Sequence, residues 1–147
     1  MFRTPAPSTD VPRHITELPA EYEVQRLAEH WVVAGPTGIF TVGRTDGEVQ
    51  RDAEHLSLLA HELRASLSRM MPWVPFVDAL LVAQPEQVAD LPASALACTV
   101  VGLGMLPVAL TCGPQTIDPD ELRELYRVLP LAINRLHHHG PDFLATA

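Results

Sequence analysis

The feature that most constrains this chain is a four-residue turn held between two apolar runs. Ala28-Glu29-His30-Trp31-Val32-Val33-Ala34 leads into Gly35-Pro36-Thr37-Gly38, and Ile39-Phe40-Thr41-Val42 follows. β-Branched and aromatic runs on either side of a Gly/Pro turn predict an antiparallel hairpin. Gly43-Arg44-Thr45-Asp46-Gly47 then closes the second run at another turn signal. A short third strand is expected at Glu48-Val49-Gln50. From Asp52 to Met71 the period changes: Leu56, Leu59, Leu63, Leu67 and Met70 recur every three or four positions, one stripe of an amphipathic helix that Pro72 ends.

The remainder reads as further alternation of strand and helix. Phe76 to Ala83 and Ala97 to Gly102 are short apolar runs suited to buried strands, with Gln84 to Ala95 between them as a loop holding at most one helical turn. Leu103 to Leu110 predicts a short helix. Asp118-Pro119-Asp120-Glu121 is a helix start, with an Asp N-cap, Pro at the first position and acids in the first turn. Leu122, Leu125, Leu129, Ile133 and Leu136 carry that helix to His137-His138-His139, and Pro130 is expected to kink or split it. Upstream, residues 1–13 read as a flexible Pro-rich lead-in and His14 to Pro19 as a short strand. No internal repeat is present. The expected fold is α/β, a small mixed-sheet sandwich over residues 14–139, with a C-terminal tail at 140–147.

Composition narrows the function. The 147 residues carry 10 basic and 18 acidic side chains, a formal charge of −8. Every basic residue is arginine, so chemistry that needs a motif lysine is excluded in its standard forms. A charge of −8 opposes the phosphate backbone and disfavours a nucleic-acid partner. Arg64, Arg69, Arg123 and Arg127 alternate with Glu62, Glu121 and Glu124, as on solvated helix faces. Cys98 and Cys112 lack C-x-x-C spacing, and Met1-Phe2-Arg3-Thr4-Pro5 opens no apolar leader, so reduced thiols and a cytoplasmic location are expected. No window reaches the ~20 apolar residues of a membrane span. The Ala-, Pro- and Arg-rich composition suggests a bacterial genome of high GC content.

The hairpin from Ala28 to Val42 resembles the nuclease-related domain family, often called NERD. That family places an Asp-His dipeptide before an apolar strand, then Gly-Pro-x-Gly-(Val/Ile)-Phe, then a strand ending in acid-x-Lys. The likeness continues more loosely through the Leu-rich helix, the strands Val77–Ala83 and Thr99–Val101, Val101-Gly102-Leu103-Gly104-Met105-Leu106-Pro107, and the helix opened by Asp118, roughly residues 14–135. It implies a restriction-endonuclease-like fold and Mg-dependent phosphodiester cleavage, in which two carboxylates hold the ion and lysine stabilises the charge of attack. This chain departs from that pattern. Glu29 stands at the first acid, Gly43 at the second and Thr45 at the lysine, and the family's upstream helix with its glutamate is expected to be missing. Arg44 neighbours the lysine position but should point away from the site, because strand neighbours alternate faces.

The expectation is therefore a catalytically inactive module of this fold, a pseudoenzyme with no cofactor, acting through a protein partner or self-association. Met70, Met71, Trp73 and Phe76 are the interface candidates, in a segment that otherwise reads as a buried crossover, and an exposed edge strand of the hairpin is another. The alternative is a residual Mg-dependent endonuclease or DNA-processing protein using Glu29, as metal ligand, with Asp46 or Glu48. Nucleic-acid binding without cleavage is a third reading. Other motifs carry little. Three consecutive histidines cannot converge on one ion from a helix, and His55 with His61 lacks ligand spacing. Cys112 has no activating neighbour, Ser66 and Ser68 sit on no nucleophile elbow, and Gly102-x-Gly104 is only a fragment of a dinucleotide fingerprint.

Overall fold

In a computed structural model, residues 7–89 and 98–139 are described. The hairpin is its centre. Strands β2 (His30–Gly35) and β3 (Gly38–Arg44) pair antiparallel with Gly35 opposite Gly38, so Pro36 and Thr37 alone make the turn. Glycine is required at both ends of it. Gly38 has φ +141°, and a Cβ on Gly35 would sit 2.2 Å from the Tyr22 ring. The turn is tied down from outside: Thr37 Oγ1 donates to the Leu110 carbonyl at 2.5 Å, and the Pro36 carbonyl accepts from the Thr116 and Ile117 amides.

A strand with no clear sequence signal, β1 (Glu23–Leu27), extends this hairpin to a three-stranded meander. Its turn into β2 is also two residues long, and Ala28 takes a left-handed φ of +56° there. Helix α2 (Val49–Ser68) then crosses to β4 (Val77–Val82), which runs parallel to β3. A single turn, α3 (Pro85–Val88), precedes β5 (Thr99–Val101), parallel to β4. The mixed sheet has the order β1-β2-β3-β4-β5. A 3₁₀ turn (Leu103–Met105) leads into α4 (Leu106–Thr111), and α5 (Pro119–His139) closes the described chain.

Strand alternation sorts the core into two layers. Val32, Ala34, Ile39, Ala79 and Leu81 pack under the leucine stripes of α2 and α5. Trp31, Val33, Phe40, Val42, Leu80 and Val82 pack on the opposite face, against Leu106 and Leu110 of α4 and against Val11 and Ile15. The last two belong to helix α1 (Pro7–Thr16), which takes the place of the strand expected from His14 and includes residues 7–13 of the expected lead-in. Their spacing of four puts both side chains on one helical face, where the sheet buries them. A helix therefore does precede the hairpin, although no glutamate lies within Pro7–Thr16.

Two other expectations change. The third strand proposed at Glu48–Gln50 is the start of α2; Val49 is buried in the α2–α5 core, and that burial overrides its β preference. Helix α5 is not split at Pro130, which is exposed while Leu129, Ala132 and Ile133 face inward; packing holds the helix on both sides of it. The start of α5 is as expected: Asp118 Oδ1 accepts from the Glu121 amide at 2.8 Å, and Glu121 Oε1 accepts from the Asp118 amide at 3.2 Å. Tyr126 on this helix donates its hydroxyl to the Ala34 and Glu21 carbonyls, and burial pushes the phenol up to about 12. Residues 1–6, the segment 90–97 and the expected tail at 140–147 lie outside the described residues.

Candidate functional site

Of the positions singled out by the family resemblance, Glu29 lines a cleft at the N-terminal end of α2, whereas Gly43 and Thr45 are not among its lining residues. Its volume is about 240 Å³, and it is lined by Glu29, His30, Arg44, Asp46, Arg51, Asp52, His55 and Leu81. The turn between β1 and β2 supplies Glu29, and the first residue of β2 supplies His30. The end of β3 contributes Arg44, the following turn Asp46, and the first two turns of α2 the remaining polar groups.

His30, one of the cleft's lining residues, packs against Gly43. His30 shares the α2-facing side of β2 with Val32 and Ala34, and on β3 that side continues through Thr41 to Gly43. A Cβ at Gly43 would lie 2.8 Å from His30 Nδ1 and 3.3 Å from Leu56 Cδ1. Gly43 is thus packed against His30, and a side chain there would require the imidazole to shift. The His30 ring stands 5.6 Å from that of His55, centroid to centroid. Its Nε2 is buried without a hydrogen-bond partner among the described residues. Burial, and after it the proximity of His55, hold the His30 imidazole below its ordinary pKa, despite the opposing pull of Glu29 and Asp52.

The residue two places beyond Gly43 is equally committed. Thr45 is buried, and its hydroxyl donates to Asp52 Oδ2 at 2.6 Å while accepting from the Gly47 amide at 3.2 Å. Each neighbouring acid has an arginine. Arg44 reaches Asp46 at 2.9 Å, and Arg51 reaches Asp52 at 3.3 Å. Arg44 therefore does not point away from the cleft as strand alternation predicts. It is the last residue of β3, and its long side chain curls back over the turn.

Among the acids proposed from sequence, Glu29 and Asp46 share the cleft, whereas Glu48 is the N-cap of α2 and is not among its lining residues. Glu29 is exposed on a turn and not at the head of a strand. Among the described residues, no three His, Cys, Asp or Glu side chains are grouped to hold a metal ion. Asp46 and Asp52 face arginines, so this donor set does not fit the magnesium ion implied by the resemblance. Sequence reasoning missed His30, Arg51 and Asp52, and weighed His55 only against His61. Signals were available: a lone Gly in a strand marks close approach, and Asp52 and His55 are three apart on α2.

A second concavity lies toward the other end of α2. It measures about 390 Å³ and is lined by His61 and Arg64 of α2, Phe76 to Ala79 around the start of β4, and Cys98 with Thr99 before β5. The Met70–Phe76 segment divides here. Met71 is buried in the core, Met70 and Val74 are half-buried, and Trp73 and Phe76 are 41% and 69% exposed. Cys98 shares this pocket with His61 and Asp78, but burial pushes its thiol up to about 11, so it stays protonated at neutral pH. Cys98 and Cys112 are both free thiols.

At the end of α5, His137 Nε2 accepts from the Ala28 amide at 3.4 Å, helping to seat the left-handed turn that carries Glu29. No helix among the described residues is long and apolar enough to cross a membrane. No protein-family model matches the chain, and neither does any curated protein or solved structure.

Proposed function

We propose that this chain is a nuclease-related domain of restriction-endonuclease-like type that no longer cleaves phosphodiesters and acts in the cytoplasm by binding a protein. The observation that carries this reading is the filled position at Gly43. A side chain there would displace the His30 imidazole, and the threonine at the lysine position two residues on has its hydroxyl bound to Asp52. Catalysis of this kind needs charge concentrated at the reacting phosphate. Here Asp46 and Asp52 are each paired with an arginine, which leaves Glu29 as the cleft's carboxylate outside an ion pair among the described residues. The mixed sheet and the Gly-Pro-Thr-Gly hairpin support the family reading.

The test is incubation of the purified chain with supercoiled plasmid and with RNA, in magnesium and in manganese. No nicking or degradation is expected. A second reading, residual cleavage, is favoured by one fact: Glu29 and Asp46 line the same cleft. Metal-dependent nicking that disappears in Glu29→Ala would establish that reading and overturn ours.

A further inference from the structure

We draw no further inference here: the strongest candidate, the pocket of about 390 Å³ between α2, the start of β4 and the residues leading into β5, carries none, because nothing among the described residues shows what covers it.

Discussion

The two ends of α2 stand about 30 Å apart, at 1.5 Å per residue over its 20 residues, and they handle charge in opposite ways. At the N-terminal end, Arg44 faces Asp46, Arg51 faces Asp52, and Thr45 caps what remains of Asp52. At the C-terminal end, Arg64 and Arg69 make no ion pair among the described residues, and Trp73 and Phe76 are 41% and 69% exposed. The difference separates two kinds of surface. A cleft whose aspartates are already paired with arginines has less charge left to give a ligand or a reacting phosphate. A surface that leaves cations and rings outward retains that capacity. Concavity alone does not distinguish them, since both ends have it.

The largest effect that would sharpen this contrast is expected at Gly43. Gly43→Asp drives a Cβ to within 2.8 Å of His30 and buries a charge beside Leu56. A loss of about 3 kcal/mol or more is expected in urea denaturation. Adding His30→Ala should return part of it by removing the collision. A normal midpoint for Gly43→Asp would break the comparison, because the cleft would then have room for an acid after all. Next comes Thr45→Val, which strands the Asp52 carboxylate and the Gly47 amide. It should cost about 1–3 kcal/mol, with Thr45→Ser retaining most of the stability.

A pH effect follows, smaller and read as a slope. His30 is held below its ordinary value of 6.5 in the folded chain, through burial first and then through His55. As pH falls below that value the unfolded chain takes up the proton more readily than the folded one. Stability should therefore be fully present above 6.5 and decline on acidification toward the lowered folded value. Glu29 and Asp52 temper the decline, while His55 and Arg26 add to it; Asp46, Arg44 and Arg51 line the same cleft. Urea midpoints at about pH 7.5 and about pH 5.5 measure the slope, and His30→Gln should flatten it. An unchanged slope in that variant would show that His30 is not the titrating group. The smallest effect belongs to the outward-facing end: Phe76→Ser, 69% exposed in the folded chain, should alter stability by no more than about 0.5 kcal/mol.

Much of the architecture was legible because it rests on local rules. The β2–β3 turn follows from Gly35 and Gly38, and the buried stripes of α2 and α5 follow from leucines spaced three and four apart. The capping of α5 follows from Asp118 and Glu121. Helix α1 was not legible: its prolines mask a stripe of only two apolar residues, Val11 and Ile15, and it is the sheet that buries them. Strand β1, with the sequence Glu-Val-Gln-Arg-Leu, is half-polar because it lies at the sheet edge, which removes the apolar signal that marks a central strand.

The candidate site divides along the same line. The resemblance that sets Glu29, Gly43 and Thr45 against the acid and lysine positions of a nuclease-related domain rests on the order of residues along the hairpin. That Gly43 is filled from across the strand pair, and that Thr45 is spoken for by Asp52 seven residues on, was not visible in that order. A chain specifies its own turns, caps and periodicities because neighbours in sequence decide them. Whether a missing side chain leaves a hole or a contact depends on which distant atoms arrive there, and only the packed sheet and helix settle that.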